Sequence, residues 1–173
     1  MTTRTQRLSA LSALLLPAAS ALLVADVANA TQPTSSLEGA WRVTTTPYVC
    51  ETGELLTFAA FEEYMTFGAR GTLAETTSNP AFQPGQRSPG HGFWERTRHN
   101  SYRAVFQAFV QFTSVVTPPT PPRYVRGTQR VDHGIDLIDS NHWESTASVT
   151  FFDAGGTLIQ PTGCAAAAAV RIE

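Results

Sequence analysis

Apolar and polar side chains alternate most clearly from Tyr102 onward, where Tyr102, Ala104, Phe106, Ala108, Val110 and Phe112 form one row. Arg103, Gln107 and Gln111 fall on the opposite face, so a period of two predicts a strand with one buried and one wet side. The same period returns in Trp143, Ser145, Ala147, Val149 and Phe151, set against Glu144, Thr146, Ser148 and Thr150. Val125, Gly127, Gln129 and Val131 mark a strand over 124–131, which Asp132-His133-Gly134 punctuates before a short run at 135–138. A first strand is predicted over 37–46, where Gly39 and Trp41 precede a β-branched run that stops at Pro47. The run 55–67 reads as a strand, with a helical 58–63 as the alternative. Gly68-Ala69-Arg70-Gly71 then turns the chain back into 72–76 to make a hairpin.

Between these runs the chain is punctuated by turn residues. The stretch 79–92 is dense in proline and glycine, has no periodicity, and is expected to pass over one end of the fold into a short strand at 91–96. Thr117-Pro118-Pro119-Thr120-Pro121-Pro122 reads as an extended connector, and Asp153-Ala154-Gly155-Gly156 as a hairpin turn before 157–159. Five alanines near the C-terminus favour helix by propensity, but so short a run does not nucleate one, and 164–172 is taken as a closing strand. About eight strands on short turns bury one face best by closing on themselves. The expected fold is all-β, a single antiparallel up-and-down barrel. A barrel of that size is filled by side chains or holds one small ligand.

The first thirty residues are set apart from this pattern. Arg4 and Arg7 precede an apolar stretch over 8–24, and Ala28-Asn29-Ala30 supplies the small residues of a cleavage site. Residues 1–30 are therefore expected to be a signal peptide and 31–173 the barrel domain. The apolar part is too short for a membrane span, and the location expected after cleavage is secreted, periplasmic or cell-surface. A formal net charge of −2 gives no electrostatic reason to expect nucleic acid or an anionic membrane as partner. Cys50 and Cys164 are the two cysteines, and in an oxidising compartment they can form one bridge between the end of the first strand and the last. Two free thiols or a metal pair are the alternatives.

Trp41 on the first strand, the two cysteines and Arg171 on the last strand resemble the calycin-like barrels, the lipocalin-like group. Allene-oxide-cyclase-type barrels, which also end on strands, are similar. The resemblance implies that Arg171 packs across Trp41 at a closed barrel end, as a cation–π contact.

Candidate chemistry is sparse. No nucleophile elbow, phosphate loop or zinc-binding helix motif is present, and no cofactor is expected. His91, His99, His133 and His142 each stand beside a turn. A composite metal site from His91, His133 and His142 with Glu95 or Glu144 is imaginable, but nothing in the spacing supports it. His91 and Glu95 share strand parity at a glycine-rich entry and are the weak candidates for acid–base work, against a reading in which Glu95 pairs outside with Arg103 or Arg96. Tyr102, Phe106, Trp94 and Trp143 suit a lumen wall, and equally a solid core. The expected function is a monomeric exported barrel binding a small hydrophobic molecule. The alternatives are a cyclase or isomerase using the His/Glu pair, or a structural, partner-binding protein.

Overall fold

The computed structural model describes residues 36–113, 124–159 and 161–173. The expected signal peptide and the proline-rich connector 117–122 lie outside the described residues. Eight strands follow one another: β1 (Gly39–Tyr48), β2 (Phe61–Gly68), β3 (Thr72–Thr77), β4 (Gly90–Arg96), β5 (Ser101–Thr113), β6 (Tyr124–Leu137), β7 (His142–Asp153) and β8 (Gly163–Arg171). Each pairs antiparallel with the next, and β8 returns to β1, so the sheet is a closed up-and-down barrel in sequence order. Among the described residues the other regular elements are two single 3₁₀ turns, Thr57–Ala59 and Ala69–Gly71. No helix among them is long and apolar enough to cross a membrane.

Period-two patterning explains most of the strands. Trp41, Val43 and Thr45 of β1 are buried, and so are Glu63, Met65 and Phe67 of β2, while the residues between them face outward. The alanines of β8 follow the same rule: Ala165, Ala167 and Ala169 point inward. Their small side chains stand in register between β1 and β7, Ala169 beside Val43 and Trp143, and leave room for bulk from neighbouring strands.

Three local expectations need correction. Asp132-His133-Gly134 does not punctuate: β6 runs through it, with His133 paired to Ala104 on one side and Ala147 on the other. Two neighbouring strands supply continuous ladders, which overrides the turn preference of Asp and Gly. Nor does the first strand stop at Pro47. Within the sheet that residue pairs with Ala165 of β8 alone, because the β2 register ends at Thr45; its missing N–H costs no β2 ladder bond, and its carbonyl accepts from Leu56 N–H at 2.8 Å. Leu55 to Ala60 is not strand; a 3₁₀ turn precedes β2.

One end of the barrel is packed solid. Trp41, Trp143, Phe67 and Leu37 are buried there with Met65 and Ile135. The rings meet edge to face, Trp41 on Trp143 at 6.2 Å and Phe67 on Trp143 at 6.3 Å between centroids. Arg171 lies over Trp41 with its guanidinium carbon 4.1 Å from the ring centroid. It donates to three carbonyls, Ser140 at 2.6 Å, Glu38 at 2.6 Å and Ser36 at 2.7 Å. Gly39, at φ +129°, leaves the space that a Cβ would take from the Arg171 guanidinium. At the other end Cys50 and Cys164 are bonded, with Cα atoms 5.3 Å apart across a sequence separation of 114.

Two outcomes follow for stability. Closing so long a loop is worth about 4–5 kcal/mol by chain entropy, so reduction should lower the melting temperature markedly; an unchanged value would mean the bridge does not constrain the unfolded chain. Arg171→Met keeps the stem but loses the three donors, and urea unfolding should report a loss of about 2–3 kcal/mol, against an overturning value near zero.

Candidate functional site

The half of the lumen away from Trp41 is not filled. It holds a cavity of about 420 Å³ that runs from Pro47, Gly163 and Cys164 at the rim to Phe106 and His133 inside. Phe61, Phe82, Val110, Val131, Val149 and Phe151 make most of its wall apolar. The loop 78–89 belongs to this wall as well as crossing the end of the barrel. It is stitched to β5 by Ser88 N–H donating to Phe109 O at 2.9 Å and Gln111 N–H donating to Gln86 O at 2.8 Å.

That loop carries Arg87 into the barrel. Its guanidinium grips both carboxylate oxygens of Glu75, at 2.8 and 3.3 Å, and its Nε donates to Gln129. Both side chains of the ion pair are almost wholly buried. Gly90 makes the arrangement possible, because a Cβ there would stand 2.5 Å from Glu75 Oε2 and 2.7 Å from Phe106 Cδ2. Burial pushes the Glu75 carboxyl up, and Arg87 opposes that shift. Arginine does not deprotonate, so a neutral Glu75 would leave a buried cation uncompensated; Glu75 stays ionised as its partner.

Glu63 is the second buried acid. It accepts from Thr45 Oγ1 at 2.9 Å and has no cation of its own. Burial first, and then the neighbouring Glu75, push its carboxyl up to about 7. On β6, four strands round the ring from Glu63, stands His133. Its ring stacks on Phe106 at 5.8 Å, and Nδ1 meets Ser145 Oγ at 3.1 Å. Burial pushes this imidazole down to about 4, so it is neutral at physiological pH. Its Nε2 has no hydrogen-bond partner among the described residues.

Of the residues singled out from the sequence, Phe106 lines the cavity. Trp94, Tyr102 and Trp143 lie in the packed end instead: Trp94 donates to Gly68 O at 3.0 Å, and Tyr102 OH accepts from Arg96 at 2.6 Å. His91 and Glu95 do share parity, but their row is the outer one, where Glu95 approaches Arg103 at 4.0 Å; neither lines the cavity. Inward parity on β4 belongs to Gly90, Gly92 and Trp94. The three histidines of the imagined metal site are separated. His91 is exposed, His142 is exposed beside Asp139 at 2.9 Å, and His133 is inside the barrel. No cluster of metal-ligating side chains occurs among the described residues.

Glu63, Glu75, Arg87 and Ser145 were missed as site residues, and His133 was considered only as a metal ligand, although a signal existed for four of the five. Each of those four is a polar residue falling on the inward row of its strand, Glu63 between Phe61 and Met65, for example. Arg87 sits in a loop without periodicity and carries no such mark. The chain matches no protein-family model and shows no significant similarity to curated proteins.

The two displaced groups act on stability in opposite directions. Glu63, raised in the fold, contributes stability that is present below its unfolded value of 4.5 and is lost as pH rises to about 7. His133, lowered in the fold, contributes stability that is present above 6.5 and is lost as pH falls to about 4. In the wild type the two slopes largely cancel over the shared window. Urea unfolding should show stability rising with pH through that window in Glu63→Gln, and falling in His133→Phe. Parallel profiles in both variants would remove this assignment.

Proposed function

We propose that the protein is an exported, monomeric barrel of the calycin-like kind that binds one small, largely apolar molecule in its lumen. The observation carrying this reading is the uneven filling of the barrel. One half is closed by interlocking rings, while the other keeps a cavity of about 420 Å³ with a mostly apolar wall, within the roughly 300–1,000 Å³ common for ligand sites. The N-terminal arginines, the apolar stretch that follows and the Cys50–Cys164 bond support export. Ring closure supports a monomer, because no strand edge is left to pair with another chain.

A second reading, a barrel enzyme of the cyclase or isomerase type, is favoured by one observation. Glu63 and His133 line the cavity and both have displaced pKa values. On that reading the acid–base groups are these two, in place of His91 and Glu95.

Binding is tested with the hydrocarbon fluorophore diphenylhexatriene, whose emission rises on leaving water. The wild type should bind it at one saturable site. Ala147→Phe, which places a ring in the cavity wall, should weaken binding at least tenfold with the fold intact. Absence of wild-type binding, or equal binding by the variant, would overturn the lumen as the site.

A further inference from the structure

We infer that the lumen takes an apolar molecule carrying one amine, and that its ammonium head pairs with the carboxylate of Glu63. The inference rests on the lumen-binding reading and adds to it the charge of the ligand.

Glu63 belongs to the inward row of β2 and lines the cavity with Thr45 of β1 and Thr77 of β3. It is 8% exposed against 1% for Glu75, so it is the less sealed of the two buried acids. Its polar support comes from neutral hydroxyls: Thr45 Oγ1 donates to Oε2 at 2.9 Å, and the Thr77 side chain stands beside it. An ionised carboxylate offers about four acceptor sites, and two hydroxyls fill at most two of them. The side-chain atoms that are both sealed and unpartnered among the described residues are His133 Nε2 and Trp143 Nε1. No oxygen of Glu63 is shut away in that manner, and its spare acceptor capacity opens on the cavity it lines.

The charges around the cavity favour a cation. Arg87 lines it too, but Glu75 already neutralises the guanidinium, which keeps one N–H to offer and no net charge. His133 is the other ionisable side chain of the wall, and it is neutral at physiological pH. β1, β4, β5, β7 and β8 bring no ionisable side chain to the cavity. An ionised Glu63 therefore leaves one negative charge uncompensated away from water. That isolation and the nearby Glu75 are what push its carboxyl up to about 7. A ligand ammonium supplies the missing charge and three N–H donors. Pairing also holds Glu63 in its ionised form, so binding below neutral pH must expel its proton.

The test sets octylamine, octanol and octanoate against diphenylhexatriene-loaded wild-type protein at pH 6 and pH 8. An alkylammonium stays charged at both, as lysine does. At pH 8 octylamine should displace the fluorophore about tenfold better than octanol, the worth of a hydrogen bond between charged groups. At pH 6 its affinity should fall about tenfold, while that of octanol changes by less than about twofold. Calorimetry in two buffers of different ionisation enthalpy should find about one proton released per octylamine at pH 6 and almost none at pH 8. In Glu63→Gln the preference for octylamine over octanol and its pH dependence should both vanish. Octylamine binding no better than octanol at pH 8, or binding at pH 6 without proton release, overturns the inference while leaving lumen binding intact. Octanoate outcompeting octylamine at pH 8 overturns it as well, and assigns the polar head to the remaining N–H of Arg87. Failure of the wild type to bind diphenylhexatriene removes the lumen reading itself. Should Glu63→Gln misfold, the wild-type proton count decides alone.

Discussion

Pairing of β8 with β1 is the constraint from which the rest of this structure follows. These strands come from opposite ends of the described chain, and their ladder runs from Trp41 opposite Arg171 to Tyr48 opposite Cys164. Without it the sheet would present two raw edges and an apolar face too large to cover. Both ends of the seam are reinforced by different chemistry. A guanidinium lies over an indole and ties together three carbonyls at one end, and a covalent bond stands at the other. The long-range closure, entropically the costliest contact in an up-and-down barrel, thus receives the strongest local support.

Closing the ring does not decide what fills it. The lumen divides by side-chain volume. Near Trp41 the rings of β1, β2 and β7 interlock, and the alanines of β8 accept their bulk. Further along, Thr45, Ala147 and Ala165 replace large residues and the interior opens. Polar groups accumulate in this open half. A buried ion pair adds little net stability, since desolvating both charges offsets their attraction. The Glu75–Arg87 pair acts chiefly on the charge of the interior: it neutralises the guanidinium and leaves Glu63 as the buried acid without its own cation, pushed up to about 7.

How much of this was legible depends on the kind of signal. Alternation along β5 and β7 and the turn residues Gly68 to Gly71 announced strands and hairpins, because strand side chains obey a strict period of two. Alternation cannot say which of two polar-looking rows faces in. On β4 the glycines of Gly90 and Gly92 carry no side chain to mark the inner face, so His91 and Glu95 looked as eligible as Trp94. Their row turned out to be the outer one. His133 was misplaced because Asp-His-Gly is a good turn sequence in isolation, and only the two flanking ladders hold it extended.

By itself, then, the chain determined its strand content, its closure into one ring and the cysteine pair available to staple it. Those properties follow from periodicity, turn chemistry and residue count, which are local and additive. Tertiary structure alone decided where the barrel is solid and where it is open, that loop residue Arg87 reaches Glu75, and that Glu63 and His133 share one cavity from β2 and β6. Such facts depend on which side chains meet across the ring after it shuts, and the distances that fix them are not written in the order of the residues.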